Sequence, residues 1–474
     1  MVESTLFQNK KKAFKPATLY VYMHNVKRYV AISLCVLMIG VNASLVYSYT
    51  PQVVWKFYTN RCLTSSPVLY ENMVLLGSRN HNVYALQAET GEIIWQYRTR
   101  GQVDAIPTLY KKRVYIGSRD NHVYCLDVYT GDLIWSFQTG NDIPSGPGVW
   151  EDKIYTGSKD GTVYCLHADT GELLWKFEAG DYVFGTPAVA EGRVVFGSLD
   201  QNVYCVDADT GEEIWKYYTG DKVYAPPVID DTSRVYIGSW DDYMYCFDLQ
   251  SGDVIWKYKT GHNIYSAVTI YKEYLYFGCV DYNVYCLEAD TGAFVWRFFT
   301  HNFVTSTPTV RDDRVYVGSV DFTFYCMDYR TGHELWRFET EGDIECKAAV
   351  TDQVIYFSSC DGHLYCVKRE VGKIKVVSTP EGGDVFIDGE YKGKTPLEKS
   401  MPPNDHIITV ESDDTAETQK ITLEPEEIKE VLFDFESDEI KEPAISMGIK
   451  EIMVILCIAG GLIALYMTFF RKSN

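Results

Sequence analysis

Positive charge is scarce in this sequence. Its 474 residues include 44 Lys and Arg against 65 Asp and Glu, which gives a net charge of −21. Because so acidic a surface repels phosphate groups, the composition argues against nucleic acid as a partner. Aromatic residues, by contrast, make up 15% of the chain. Disordered chains lack such residues, so most of the sequence is expected to fold around a packed core.

Long hydrophobic runs are confined to two segments, 29–49 and 452–470. As a helix, the second run would span roughly 28 Å, close to the thickness of a bilayer core. Basic residues flank the outer end of both runs, which predicts cytoplasmic termini and an extracytoplasmic region at 50–446. We interpret 1–28 as a basic cytoplasmic N-terminus and 29–49 as a signal-anchor, with a cleaved signal peptide as the alternative. Residues 447–474 are then a transmembrane helix with a short basic tail.

Between these segments the dominant pattern is an internal repeat. Each unit contains short alternating runs and two tight turns, Gly-Ser-x-Asp and Asp-Thr-Gly, which together predict four short strands. A repeat of about 40 residues with four strands is one blade of a β-propeller. We therefore predict an all-β fold with an eight-bladed propeller of four-stranded blades at 50–376. The repeat is marked by eight tryptophans, Trp55, Trp95, Trp135, Trp175, Trp215, Trp256, Trp296 and Trp336.

The first of these units has no complete blade before it, and the last ends without the tryptophan that is due. We expect the strand at Trp55 to form the outer edge of the last blade, which would close the ring and remove a free edge.

Cysteine pairs with disulfide spacing are absent from the repeat, although the chain has 13 cysteines. Seven recur at one repeat position, and equivalent strands of adjacent blades should hold them too far apart to bond. We predict that they are small buried hydrophobic residues: Cys125, Cys165, Cys205, Cys246, Cys286, Cys326 and Cys366. The sequence leaves open whether Cys62, Cys279, Cys346 or Cys360 form disulfides.

The repeat resembles the pyrroloquinoline-quinone-type propeller repeat, in which a Thr-Gly pair precedes a tryptophan, and eight units match; Ser251-Gly252 replaces the pair before Trp256, and Trp55 has none. That wider family includes quinone-dependent alcohol dehydrogenases. It also includes cofactor-free scaffolds, such as the propeller lipoprotein of outer-membrane protein assembly. The resemblance implies a propeller in which each tryptophan docks between blades.

A second domain follows the repeat. Residues 377–436 contain short alternating strands joined by Asp-Gly and Pro turns. The run Pro380-Glu381-Gly382-Gly383 resembles the signature of the PEGA domain, with Gly383 in place of the usual alanine. The resemblance implies a small β-sandwich in an envelope or cell-surface protein. Residues 437–446 are polar and are interpreted as a linker to the membrane.

The sequence lacks the features that catalysis in the quinone enzymes would require. The resemblance implies adjacent cysteines, a calcium site and inserted catalytic loops, yet no Cys-Cys pair occurs and the repeats vary by a single residue in length. We therefore expect no catalytic residue, no cofactor and no resident metal site. The recurring aspartate of each hairpin is expected to close its own turn; a cation bound to this column of carboxylates remains the alternative.

Departures from the repeat indicate a candidate partner-binding site. The loop that enters each blade and the hairpin that follows Gly-Ser are predicted to lie on the same side of the ring. There, units four to seven carry aromatic residues and units one to three carry basic ones, and exposed aromatic patches are typical of interaction sites. The alternative is that these side chains pack within the funnel around the axis. The candidate partner-binding residues are Tyr182, Phe184, Tyr224, Trp240, Tyr243, Tyr265, Tyr282, Phe303, Phe322, Arg79, Arg119 and Lys159.

These observations predict a non-enzymatic, membrane-anchored scaffold or binding protein of the cell envelope, with its propeller and PEGA-like domain outside the membrane. Its expected partners are envelope or surface proteins or extended peptides. The alternative is a quinone- or metal-dependent oxidoreductase.

Overall fold

A computed structural model describes residues 49–412, 415–424 and 426–435. The predicted membrane segments lie outside these ranges apart from Tyr49, as does the predicted linker at 437–446. Within the described residues, no helix is long and apolar enough to cross a bilayer. The described chain divides into two compact units, and the boundary along the chain lies between Glu370 and Val371.

The first unit contains eight antiparallel sheets of four strands each, consistent with an eight-bladed propeller, and we call these sheets blades 1 to 8. Strand β1 (Val53–Tyr58) precedes blade 1. Blades 1 to 4 are formed by β2 (Val68–Tyr70), β3 (Met73–Gly77), β4 (Asn82–Gln87) and β5 (Ile93–Arg98); β6 (Thr108–Tyr110), β7 (Arg113–Gly117), β8 (His122–Asp127) and β9 (Leu133–Gln138); β10 (Gly148–Trp150), β11 (Lys153–Gly157), β12 (Thr162–His167) and β13 (Leu173–Glu178); β14 (Ala188–Ala190), β15 (Arg193–Gly197), β16 (Asn202–Asp207) and β17 (Glu213–Tyr218).

Blades 5 to 7 continue the same order, and blade 8 takes its fourth strand from β1. Their strands are β18 (Val228–Ile229), β19 (Arg234–Gly238), β20 (Tyr243–Asp248) and β21 (Val254–Lys259); β22 (Thr269–Tyr271), β23 (Tyr274–Gly278), β24 (Asn283–Glu288) and β25 (Phe294–Phe299); β26 (Thr309–Arg311), β27 (Arg314–Gly318), β28 (Thr323–Asp328) and β29 (Glu334–Glu339); β30 (Ala349–Val350), β31 (Val354–Ser358) and β32 (His363–Lys368).

The ring closes between the two ends of the first unit. Strand β1 pairs antiparallel with β32, which places Trp55 opposite Cys366 in a sheet of order β1-β32-β31-β30. The prediction that the strand at Trp55 completes the last blade is therefore confirmed. A disulfide between Cys62 and Cys360 crosses the same seam and settles one pairing that the sequence left open.

The repeated tryptophans join each blade to the next. The indole Nε1 of Trp95 donates to the carbonyl oxygen of Val128 at 2.9 Å, and that of Trp135 donates to Ala168 at 2.9 Å. The turn glycine is required here, because Gly131 has a φ of +73° and a Cβ would lie 2.6 Å from the Trp95 ring. The same tryptophan that marks each repeat also joins its blade to the next one. The number and spacing of the tryptophans therefore predict the number of blades.

The seven recurring cysteines are all buried and unpaired, as predicted. Burial raises the pKa of Cys125, Cys165, Cys205 and Cys246 to about 12. These thiols stay protonated at neutral pH and pack as small apolar groups.

The second unit contains a three-stranded and a four-stranded sheet around one hydrophobic core that includes Ile374, Val410 and Phe433. It begins with β33 (Gly372–Thr379), whose first residues the sequence assigned to the propeller. This strand pairs in parallel with the last strand of the unit. The remaining strands are β34 (Asp384–Ile387), β35 (Glu390–Lys394), β36 (Leu397–Met401), β37 (Asp405–Ser412), β38 (Thr415–Thr422) and β39 (Ile428–Asp434).

Candidate partner-binding face

One side of the propeller unit is formed by the hairpin between the second and third strand of each blade and by the loop that enters the next blade. Backbone hydrogen bonds tie the two together: Val103 donates to the Ser78 carbonyl at 3.1 Å, and Arg119 donates to the Gln102 carbonyl at 2.9 Å. We call this side the hairpin face; its hairpins occupy residues 78–81, 118–121, 158–161, 198–201, 239–242, 279–282, 319–322 and 359–362.

An aspartate sets the local geometry in seven of the eight hairpins, and Asn80 takes its place in blade 1. In blade 3, Asp160 Oδ1 accepts from the Thr162 amide at 2.9 Å, and Oδ2 accepts from the Gly140 amide at 2.7 Å and the Tyr164 hydroxyl at 2.8 Å. Asp200 and Asp281 repeat this pattern. The prediction that these carboxylates close their own turns is confirmed.

The residue that follows this aspartate, or that follows Asn80 in blade 1, adopts the left-handed conformation in every blade. Its φ lies between +68° and +89° at His81, Asn121, Gly161, Gln201, Asp242, Tyr282, Phe322 and Gly362. Glycine and asparagine adopt this region readily, whereas bulky residues do so at a cost. The carbonyl of this residue accepts hydrogen bonds from the residue that follows the outer strand. In blade 6, for example, the amide and the hydroxyl of Thr300 both donate to the Tyr282 carbonyl, at 2.8 and 3.0 Å. The hairpin therefore imposes the conformation on whatever side chain is present.

Four aromatic side chains of blades 6 and 7 protrude from the hairpin face and form the exposed aromatic patch, defined here as Tyr282, Phe299, Phe303 and Phe322. Their exposed fractions are 38%, 59%, 42% and 46%. The Tyr282 ring lies 5.5 Å from Phe303 and 6.2 Å from Phe299, centre to centre. The carbonyl of Phe303 accepts from the Val320 amide, which ties this residue to the hairpin that carries Phe322. Sequence analysis missed Phe299, although its place three residues after Trp296 marks it as the end of an outer strand.

Four other candidate aromatic residues form a separate group, which we call the inner stack: Phe184, Tyr224, Trp240 and Tyr265. The Phe184 and Tyr224 rings stack at 3.9 Å, and Trp240 lies 5.7 Å from Tyr224 and 5.0 Å from Tyr265. Burial raises the pKa of Tyr224 and that of Tyr265. The predicted aromatic sector is therefore divided between an inner group and an exposed one. Substitution of Tyr224 would disturb packing as well as any binding.

The remaining aromatic candidates lie apart from both groups. Tyr182 is exposed in the loop that enters blade 4. Tyr243 is half-buried, and its ring lies below the amines of Lys257 and Lys259 at 4.7 and 5.7 Å.

The basic candidates are engaged with carboxylates. Arg79 Nε and Arg119 Nε lie 2.6 and 2.5 Å from the two oxygens of Asp104, which also accepts from the Thr64 hydroxyl at 2.8 Å. Burial alone would raise the pKa of Asp104, but the hydrogen bonds from Arg79 and Thr64 and the two guanidinium charges outweigh it and lower that pKa. Lys159 Nζ lies 3.2 Å from Asp142. The basic sector is thus a set of ion pairs and not a row of free cations.

Two of the concave regions of the first unit bear on function. A groove of about 460 Å³ lies at the seam between Val54 and Val354, where the charged lining residues are Glu89 and Asp352. A smaller cavity of about 190 Å³ opens at the inner stack and is lined by residues of all eight entering loops. We call the latter the axial cavity. It contains the more varied chemistry, because Asp104, Glu345 and Lys347 line it together with three aromatic rings.

Several known proteins and families are similar to this chain. Residues 33–234 match the β-propeller of the β-alanine-activating enzyme, residues 199–301 and 245–384 match the outer membrane protein assembly factor BamB, and residues 371–437 match the PEGA domain. No curated protein matches the chain.

Many solved structures share the fold, and two of them illustrate the similarity. The crystal structure of BamB from Moraxella catarrhalis has a TM-score of 0.59 at 18% identity, covering 68% of this chain and 100% of that one. The computationally designed Ika8 protein has a TM-score of 0.61 at 17% identity, covering 67% and 100%. Together with the repeat geometry, these matches identify the chain as one that carries BamB-like β-propeller repeats followed by a C-terminal PEGA domain.

Proposed function

We propose that this chain is a non-enzymatic binding protein of the cell envelope that recruits protein or extended-peptide partners through its hairpin face. Its propeller and PEGA domain lie outside the membrane, anchored by segments 29–49 and 447–474, with both termini in the cytoplasm. Similarity to BamB, an outer membrane protein assembly factor, supports an envelope role.

The exposed aromatic patch is the observation that carries this proposal. Large aromatic side chains dominate the energetics of protein interfaces, and clusters of them on a monomer surface mark interaction sites. Tyr282 and Phe322 are large aromatic residues at a left-handed position that the other blades fill with His, Asn, Gln, Asp or Gly. Residues that the surrounding structure holds in such conformations cluster at binding and active sites.

The repeated polar groups do not favour catalysis. Each hairpin carboxylate of the Asp160 type already accepts three hydrogen bonds from its own hairpin and loop, so it has little capacity left for acid-base chemistry. The recurring cysteines are protonated and buried. An oxidoreductase would instead be recognised by quinone absorbance or calcium-dependent dye reduction of the purified protein.

The test is site-specific photocrosslinking in intact membranes. A photoreactive phenylalanine analogue at Tyr282 or Phe322 is expected to give discrete adducts with partner proteins. The matched control is Tyr129, which has a similar exposed fraction of 41% but lies in the turn after β8, on the opposite side of blade 2. Equal labelling from both sides, or no adduct from either hairpin position, would rule out the hairpin face as the partner site.

A further inference from the structure

Two rings of residues line the axial cavity. The upper ring lies nine residues after each repeated tryptophan and the lower ring eleven residues after. Because the chain runs from the hairpin face into the first strand, the lower ring lies deeper. The upper ring contains Thr64, Asp104, Pro144, Phe184, Tyr224, Tyr265, Thr305 and Glu345, and the lower ring contains Ser66, Ile106, Gly146, Thr186, Pro226, Ala267, Thr307 and Lys347.

Lys347 is the single charged residue of the lower ring. Its side chain is exposed and lines the cavity, and desolvation by the surrounding loops lowers the pKa of its ammonium. Asp104 and Glu345 line the same cavity from the upper ring. Seven blades fill the same position without a charge, so the repeat fold does not require a lysine there.

Two hydroxyl groups beside the cavity are unpartnered. Ser145 Oγ and Thr305 Oγ1 are buried and have no hydrogen-bond partner among the described atoms, although both residues line the cavity. A hydroxyl donates one hydrogen bond and an ammonium donates three. Both oxygens are closed off from solvent, so the capacity of the cavity to bind an anion rests on the Lys347 ammonium.

The other side of the cavity is apolar. Phe184, Tyr224 and Tyr265 line it from blades 4 to 6, whereas Lys347 lies in blade 8. Among the upper-ring acids, Asp104 is neutralised by two arginines, and burial raises the pKa of Glu345. Asp104 stays ionised between its arginines, and its charge repels a dianion such as phosphate more than a singly charged anion. A ligand that has one negatively charged group and an apolar body complements both sides: the charged group complements Lys347, and the body complements the aromatic side.

We propose that the axial cavity binds a carboxylate attached to an apolar or aromatic body, with Lys347 pairing the carboxylate and the inner stack holding the body. The volume of about 190 Å³ limits the ligand to the size of a single large amino acid. A peptide C-terminus or a free carboxylic acid supplies this chemistry. The site is distinct from the exposed aromatic patch and does not depend on it.

The test is calorimetric titration of the purified chain with N-acetylphenylalanine and with its C-terminal amide. The acid is expected to bind and the amide to bind about tenfold more weakly or worse, since a hydrogen bond to a charged group is lost. A decapeptide ending in phenylalanine, with a free or an amidated C-terminus, distinguishes the two sources. Binding of the free acid alone indicates a metabolite site, and binding of the free-acid peptide indicates C-terminal capture.

Variants locate the site. Lys347→Gln is expected to reduce the affinity for the acid about tenfold or more, and Lys347→Arg to retain it. Arg100→Gln, which removes an exposed cation from another entering loop outside the cavity, is expected to leave affinity unchanged. Equal binding of acid and amide, no binding of any probe, or full affinity in Lys347→Gln would overturn the proposal. Phe322→Asn should leave this titration unaffected while abolishing the crosslinks, so the two sites fail independently.

Discussion

Phe322 provides the sharpest test of whether the exposed aromatic patch serves binding and not folding. Its φ of +70° costs roughly 1–2 kcal/mol relative to a residue that accepts the left-handed region. The side chain is 46% exposed, so it buries about 100 Å², which stabilises by about 2.5 kcal/mol at most. These two effects nearly cancel. We therefore expect Phe322→Asn to change the free energy of unfolding by less than about 1 kcal/mol.

Phe324, two residues further on, is the matched control. It is fully buried and stacks on Phe357 with ring centres 4.2 Å apart. Removal of such a ring leaves a cavity, so Phe324→Ala is expected to cost about 3–5 kcal/mol.

The assay is urea unfolding of both purified variants followed by tryptophan fluorescence, paired with the crosslinking experiment. Phe322→Asn should lose partner adducts at near-native stability, whereas Phe324→Ala should lose stability first. A loss of 3 kcal/mol or more in Phe322→Asn would make this residue part of the packed core. The argument for a binding patch would then fail.

Three further outcomes follow from the same geometry. Asp160→Ala should lower the free energy of unfolding by about 1–3 kcal/mol, because the Tyr164 hydroxyl and two backbone amides lose their acceptor; chemical denaturation measures it. Reduction of the Cys62–Cys360 disulfide should lower Tm by about 6 °C, from roughly 4 kcal/mol of lost constraint, and a Cys360→Ser variant should not respond to reductant. The Asp104 ion pairs lower its pKa below the usual 3.8. Their contribution to the free energy of unfolding is therefore present above pH 3.8 and is lost as the pH falls through the lowered pKa. The free energy of unfolding, measured between pH 5 and 2, should fall less steeply in Asp104→Asn than in the native chain.

The repeat made much of the first unit predictable. The tryptophan and glycine spacing specifies a local unit, and the same contacts recur wherever that unit recurs, so the eight four-stranded sheets follow from the period. The hairpin aspartates and buried cysteines were predictable for the same reason. Ring closure followed because an unpaired strand at Trp55 and an incomplete last blade each require a partner.

The two candidate binding surfaces were only partly predictable. Sequence position identified Tyr224 and Tyr282 as departures from the repeat, but it did not separate them, because both are aromatic residues of neighbouring loops. Their different roles depend on neighbours from other blades: Tyr224 stacks on Phe184, whereas Tyr282 meets Phe303 at the surface.

By itself the sequence determined the repeating architecture and the PEGA unit, because hydrophobic period, turn chemistry and blade packing are local and act identically in each copy. Only the tertiary structure decided which non-repeating residues meet. It paired Cys62 with Cys360 across 298 residues and placed Asp104 between Arg79 and Arg119. It also brought Lys347 to the axial cavity together with residues of all eight entering loops. These contacts join residues of different blades, so they depend on how the blades are arranged around the axis. A local sequence pattern does not encode the distance between residues of different blades.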